Sequence, residues 1–225
     1  MRIIIDRRVA VDFPELRVLA ALIENLRITT ENPDLENLRS KVIEEVKSKY
    51  RIETLKDVPS VRAYRDFFWR IGLDPTKSRP AAEALIRRIL LKNPLPKINT
   101  FVDSLNIASI KSEVAIGSFD ADKISGDKVI IRYAHGGEEF YGIGMNRPLI
   151  MKGCEIVLLD NSGLIAMYPH RDSERTKITE NTKKALLIFC GVPGVGMNML
   201  SRSMNITVDL ITKFCGGTIS PVEVE

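Results

Sequence analysis

The segment His170-Arg171-Asp172-Ser173 places four chemically capable side chains in a row. A histidine can accept a proton near neutral pH, an arginine can hold an anion, and a carboxylate can orient a water molecule. The segment joins two predicted strands, and loops commonly carry functional residues. We therefore predict that His170 and Asp172 act in chemistry and that Arg171 binds substrate. The alternative interpretation is an ordinary solvated loop.

A second polar group precedes this segment in the chain. Asp103 and Asn106 are three residues apart and would share one face if residues 101–110 form a helix. Asn99 lies just before them, where it can cap the helix or add a third polar contact. Buried side chains of this kind must find hydrogen-bond partners, either on the protein's own backbone or on a small polar ligand. Both interpretations remain open from these residues alone.

Several other kinds of site find no support in the sequence. No nucleoside triphosphate or dinucleotide motif is present, and the glycine-rich run 191–196 is typical of a strand-to-helix turn. Asp120 and Asp122 lack the remaining ligands of a calcium loop, which favours a role in a turn. The three cysteines and two histidines are too widely spaced for a disulfide framework or a zinc site. We predict no cofactor, no metal, and reduced cysteines in a cytoplasmic protein.

Positive charge is concentrated in one part of the chain. The net charge is only +4, but residues 62–97 contain nine basic residues against three acidic ones. The basic residues are Arg62, Arg65, Arg70, Lys77, Arg79, Arg87, Arg88, Lys92 and Lys97. A local field of this sign attracts phosphates, and we predict that Arg79, Arg87, Arg88 and Lys92 bind RNA. The alternative is a solvated helical face.

Hydrophobic periodicity predicts the helices and strands that must position these residues. Strand signals cover residues 2–11, and helices are predicted from Pro14, after Asn32-Pro33, from Pro59 to Gly72, over 81–92 and over 196–214. After Asp127, short apolar runs separated by turns predict a mixed or antiparallel sheet. Helices early and strands late indicate an α+β fold. No apolar run is long enough to span a membrane.

The amino-acid sequences of three segments, and their order along the chain, resemble those of a known family. They are G-L-D-P-T-K-S-R-P through G-S-F-D-A-D-K-I-S-G-D (72–127), A-H-G-G-E-E-F (134–140) and Y-P-H-R-D-S-E-R-T-K-I-T-E-N-T-K (168–183). From about Val58 to Gly191 the chain resembles the B3/4 editing domain of the phenylalanyl-tRNA synthetase β subunit, particularly its free-standing relatives. The resemblance implies a B3/4-type α+β domain over residues 58–225, with residues 1–57 as an N-terminal extension packed on it.

The same resemblance implies a proofreading reaction, the hydrolysis of tyrosine wrongly esterified to the phenylalanine tRNA. The family's Thr-Asn pair falls on Leu105 and Asn106, so only the Asn is kept. Its pocket His falls on Gly117, and its Glu aligns approximately with Asp172. Carried over in this way, Asn106 and Asp172 are expected catalytic residues, and His170 is the candidate to replace the missing pocket His in catalysis. Asn99, Asp103, Gly117 and Arg171 are the expected contacts to substrate.

Three functions follow as hypotheses. The first is a tRNA-binding protein that hydrolyses mischarged aminoacyl-tRNA in trans. The second is a non-catalytic module that binds tRNA or an aminoacyl-tRNA synthetase, and the third is a pocket for an amino acid or related metabolite. The chain carries nothing like a class II synthetase core and should not charge tRNA by itself. The sequence does not indicate an oligomeric state.

Overall fold

A computed structural model describes all 225 residues of the chain. Its six α-helices are α1 (Arg7–Asp12), α2 (Pro33–Lys49), α3 (Pro59–Arg70), α4 (Ala81–Leu90), α5 (Thr100–Ser112) and α6 (Met197–Cys215). Its strands are β1 (Arg2–Ile5), β2 (Val18–Glu24), β3 (Ala115–Asp120), β4 (Lys128–Tyr133), β5 (Glu139–Phe140), β6 (Leu149–Ile150), β7 (Ile156–Asp160), β8 (Gly163–Met167), β9 (Arg171–Asp172), β10 (Lys184–Cys190) and β11 (Thr218–Val224). Both element types are abundant and do not alternate regularly, so the α+β prediction is confirmed.

Nine strands form one mixed sheet in the order β3-β10-β2-β11-β1-β4-β7-β8-β9, and β5 and β6 form a separate hairpin. The β1 strand is parallel to both of its neighbours, whereas the other pairs in the sheet are antiparallel. The run Ala-Leu-Leu-Ile-Phe-Cys of β10 is fully buried and is paired on both sides. This continuous apolar pattern is expected of a strand with both faces covered.

The sheet curls so that its first and last strands meet. The N–H of Ser118 in β3 donates to Asp172 Oδ2 in β9 at 3.2 Å. The N–H of Asp120 donates to the Thr176 carbonyl at 2.8 Å. We call this junction between β3 and β9 the seam. Because the two strands share no regular ladder, room remains between them for side chains and for a ligand.

The helix predicted from Pro14 is wrong. The sequence pattern predicts a helix from Pro14, but residues 18–24 form strand β2 in the middle of the sheet. Its residues Val-Leu-Ala-Ala-Leu-Ile are apolar on both faces. A short apolar run of this kind fits a buried strand and a buried helix equally well, and periodicity alone cannot separate them.

The N-terminal residues are part of the sheet rather than a layer outside it. The β1 strand lies between β11 and β4, and β2 lies between β10 and β11. Strand β11 was not expected from the sequence, because Pro221 lacks the N–H group that an inner strand normally donates. Chain ends that are far apart in sequence therefore complete the centre of the sheet that carries the seam.

Helix α1 replaces the second half of the strand predicted over residues 2–11, and the Asp6 side chain caps it by accepting from the Arg8 N–H. The other helices agree with the sequence patterns. Helix α2 begins at Pro33, where the Asn32 side chain accepts from the N–H groups of Asp34 and Leu35. In α3 the rings of Phe67 and Phe68 are buried, while Trp69 is 58% exposed. All three cysteines are free, with two buried and Cys154 exposed. No helix of the fold is both long enough and apolar enough to cross a membrane.

Candidate active site at the seam

A cavity of about 70 Å³ opens beside the seam. Its walls come from β3, β7, β8, β9, β10, the turn between β8 and β9, and the first residue of α4. The inner wall is apolar and includes Phe119, Leu158, Ala166 and Ile188, all of which are buried. Polar side chains are gathered toward the mouth. This arrangement, an apolar pocket with a few convergent polar groups, is typical of a small-ligand site.

Asp172 is the carboxylate at this cavity. It is half-buried, and its side chain accepts one hydrogen bond, from the Ser118 N–H. Burial raises the pKa of Asp172 to about 7, and the Ser118 N–H lowers it by a smaller amount. The side chain has no ion-pair partner within 4 Å. At neutral pH a large share of this carboxyl is therefore ionised and able to accept a proton.

His170 lies at the mouth of the cavity, two residues from Asp172. Burial lowers its pKa to about 4, and the positive charge of Arg171 contributes to this shift. The ring is therefore neutral at physiological pH. It packs edge-on against Phe68, with 5.7 Å between ring centroids. Its Nδ1 atom is buried and has no hydrogen-bond partner in the fold.

Gly117 lies on β3 directly against the carboxylate. A Cβ atom at this position would stand 3.4 Å from Asp172 Oδ1 and 3.1 Å from Phe119 Cζ. Glycine therefore keeps the space between the carboxylate and the strand open. In β3 the N–H groups of Ser118 and Asp120 point across the seam, so strand alternation directs the N–H of Ile116 to the same edge. Ile116 also lines the cavity.

A wide basic groove of about 400 Å³ adjoins the cavity. Its lining residues are Lys77, Ser78, Arg79, Ala84, Arg87, Arg88, Leu91, Asn93, His170 and Arg171. Five of these residues are cationic and none is acidic. His170 and Arg171 line both the groove and the cavity, so the two spaces are neighbours. A polyanion lying along the groove would pass the mouth of the cavity.

The predicted residues divide into two sets. Gly117, His170, Arg171 and Asp172 line the cavity, and Arg79, Arg87 and Arg88 line the groove. The other four do not line either space. They are Asn99, Asp103, Asn106 and Lys92.

Two of these four residues have structural partners instead. The Asn99 side chain accepts from the Val102 N–H and caps α5. Asp103 is buried, pairs with Arg39 and accepts from the Ile98 N–H. For these two residues the structure favours the backbone and ion-pair alternative over a ligand. Asn106 is half-buried on α5, and its catalytic role stays a prediction.

Some residues of the site were not expected from the sequence. Phe119, Tyr168 and Cys190 line the cavity, and Asn93 lines the groove. Aromatic and aliphatic wall residues are indistinguishable in sequence from the general core. No group of three or more His, Cys, Asp or Glu side chains comes close enough to hold a metal ion. The Asp120 side chain accepts from the Asp122 N–H, as expected for a turn.

Comparison with known proteins gives consistent results. A family model described as the B3/4 domain matches residues 63–219. The phenylalanine–tRNA ligase β subunit of Metallosphaera sedula is 25% identical over 186 residues, which cover 71% of this chain and 33% of that protein. The corresponding subunit of Protochlamydia amoebophila is 24% identical over 127 residues, covering 56% of this chain and 16% of that protein. The chain thus spans a third or less of these relatives.

A solved structure extends the likeness to the whole chain. An N-terminal fragment of the phenylalanyl-tRNA synthetase β subunit from Pyrococcus horikoshii matches 100% of this chain and 51% of the fragment. The TM-score is 0.54 at 18% sequence identity, so this comparison shows a shared fold. Because the family model covers more than half of the residues, the chain belongs to the B3/4 domain family.

Proposed function

We propose that this protein binds aminoacyl-tRNA in the basic groove and hydrolyses the ester that joins the amino acid to the terminal ribose. One observation carries the proposal: the groove adjoins the cavity that holds Asp172, and His170 and Arg171 belong to both. An RNA end lying in the groove would present its ester at the cavity mouth. The kinship with synthetase β subunits supports a role linked to tRNA.

The groove has the charge that an RNA backbone requires. Lys77, Arg79, Arg87, Arg88 and Arg171 line it without any carboxylate. None of the four arginines forms a salt bridge within 4 Å in the structure, so their charges are available to phosphates. Binding of this kind releases counterions and weakens steeply as salt rises.

Asp172 supplies the base. In its ionised form the carboxylate takes a proton from a water molecule as the water oxygen attacks the ester carbonyl carbon. The tetrahedral intermediate then collapses, the bond from the carbonyl carbon to the ribose oxygen breaks, and the proton passes to that oxygen. The products are a free amino acid and a tRNA with a free ribose hydroxyl. A pKa of about 7 suits a base that works at neutral pH.

Other groups at the cavity stabilise the charge that develops. The N–H of Ile116 on the open edge of β3 and the Arg171 guanidinium are the donors available to the carbonyl oxygen as it becomes negative. The neutral His170 ring, which lines both spaces, can hydrogen-bond to the α-amino group or to a ribose hydroxyl. These roles require positioning within a few tenths of an ångström, which the rigid strands provide.

A second candidate is a non-catalytic module that binds tRNA or a synthetase. It is favoured by the groove itself, whose charge does not depend on Asp172. The two candidates differ in one measurable property, because only the first releases an amino acid.

The test is deacylation in trans of a panel of correctly and wrongly charged tRNAs. The wild-type protein is expected to release an amino acid, whereas Asp172→Asn binds tRNA but releases none. Asp122→Asn, the same chemical change at an exposed turn position, serves as the matched control and should retain activity. Binding without release by the wild type would support the second candidate. Activity retained by Asp172→Asn would remove Asp172 from the mechanism.

A further inference from the structure

The volume of the cavity restricts which side chains can enter it. Its volume is about 70 Å³, roughly half of the ~150 Å³ apolar cavity that accommodates a benzene ring in another protein. Six ring carbons need the larger space, so about three carbons fit in the smaller one. An isopropyl group is of this size, and a phenol ring is not.

Two lining residues with polar atoms are held in place by hydrogen bonds. The Tyr168 hydroxyl donates to the Gly191 carbonyl, and the Cys190 thiol donates to the Ile188 carbonyl at 3.6 Å. Burial raises the pKa of both side chains far above neutrality, so both are uncharged. These bonds hold both side chains in the wall of the cavity.

The carboxylate and the apolar wall are neighbours in this small space, because a Cβ at Gly117 would stand 3.4 Å from Asp172 Oδ1 and 3.1 Å from Phe119 Cζ. His170 and Arg171 border the groove, while Phe119 and Ile188 are fully buried. An aminoacyl ester with its carbonyl near Asp172 would place its side chain against that wall. The size of the cavity then decides which amino acid is accepted.

We infer that the aminoacyl group handled here is small, from alanine to valine in size, and that tyrosine is a poor substrate. This inference rests on the proposed function, because it names the substrate class of the same site. It departs from the tyrosine substrate that the resemblance to the synthetase domain implies. The volume of the cavity discriminates against the phenol ring of tyrosine.

Phe119 is the residue that sets the size limit. Its ring lies against Gly117, with Cζ 3.1 Å and Cε2 3.2 Å from where a Cβ of that residue would stand, and it is fully buried. Phe119→Leu shortens the wall and keeps it apolar. The matched control is Phe189→Leu, an identical change at another fully buried phenylalanine of the sheet that does not line the cavity.

The experiment measures single-turnover release from one tRNA carrying alanine, valine, serine, threonine, leucine or tyrosine in turn. Wild-type protein is expected to release amino acids from alanine to valine in size and to release no tyrosine. Phe119→Leu should gain leucine release, and Phe189→Leu should not.

The outcomes distinguish a failure of the inferred substrate class from a failure of the proposed hydrolase activity. Preferential release of tyrosine would overturn the substrate class and leave the hydrolase standing. Release of leucine by both variants alike would show that Phe119 does not set the limit, which contradicts the account of the wall. No release from any member of the series would remove the proposed function, and the substrate class with it.

Discussion

The carboxylates of Asp103, near the start of α5, and of Asp172, at the seam, differ in how many hydrogen-bond and ionic partners the fold supplies to them. Asp103 is buried, pairs with Arg39 and accepts from the Ile98 N–H. Asp172 accepts from Ser118 alone and faces a cavity. Burial raises the pKa of both carboxyls, but for Asp103 the Ile98 N–H and the Arg39 guanidinium oppose the shift. The first carboxylate has the partners of a structural element, and the second has capacity left for a ligand.

Replacing Asp172 should produce the largest effect on activity. Asp172→Asn removes the proton acceptor and keeps the shape, so the deacylation rate should fall by about 10²–10⁴-fold. Its stability at pH 8 should be no lower than that of the wild type, because a desolvated carboxylate has been removed. Single-turnover rates and urea unfolding would measure the two quantities. A large loss of stability would mean that Asp172 is a structural residue like Asp103.

Replacing Asp103 should produce the opposite pattern. Asp103→Asn leaves the buried Arg39 guanidinium with the partly exposed Glu36 as its remaining ionic partner, and breaking a buried pair costs up to about 3–5 kcal/mol of unfolding free energy. Under conditions in which the variant remains folded, its deacylation rate should be close to that of the wild type. Chemical denaturation followed by circular dichroism would measure the stability. A selective loss of activity with normal stability would show that Asp103 has a functional role rather than a structural one.

The groove should contribute to binding but not to the chemical step. The double variant Arg87→Glu/Arg88→Glu is expected to weaken tRNA binding by about 10–100-fold and to reduce the salt slope by about 1 for each phosphate that the groove no longer holds. Arg62→Glu changes an exposed arginine on α3 that lies outside the groove and serves as a control for charge. Equal weakening by the Arg62 variant would indicate non-specific attraction rather than a groove.

The smallest effect is expected at Gly117. Gly117→Ala places a Cβ within 3.4 Å of Asp172 Oδ1 and 3.1 Å of Phe119 Cζ, so the neighbours must shift by a few tenths of an ångström. We expect kcat/KM to fall several-fold, by about 1 kcal/mol of transition-state stabilisation, with unchanged tRNA affinity. Gly196→Ala, at a position where a Cβ would contact nothing, is the control. Equal kinetics for both variants would show that the space beside Asp172 is not used.

The sequence was sufficient for much of the helical structure and insufficient for the site. Helices with a clear start, such as α2 after Asn32 and α3 at Pro59, were predicted because caps and prolines act locally. The β2 strand was missed because its apolar run has no distinguishing period. The seam joins Ser118 to Asp172 across 54 residues of chain. Such a pairing depends on sheet curvature, which no local pattern encodes.

The partners of the polar residues could not be predicted from the sequence either. Sequence patterns identified Asp103 and Asp172 as candidates on equal terms, because residue type and spacing do not reveal partners. Only the fold shows that Arg39, 64 positions away, pairs with Asp103. The groove residues Arg79, Arg87 and Arg88 were predicted because they cluster in sequence as well as in space.

The pH dependence of single-turnover deacylation tests the central claim most directly, namely that Asp172 is the working base. The pKa of Asp172 is raised to about 7, and only the deprotonated carboxylate accepts a proton. The account predicts that the rate above the uncatalysed background rises about tenfold per pH unit below pH 7 and levels off above it. In Asp172→Asn this profile should be absent. A rate independent of pH from 5 to 8, or the same profile in the variant, would contradict the claim.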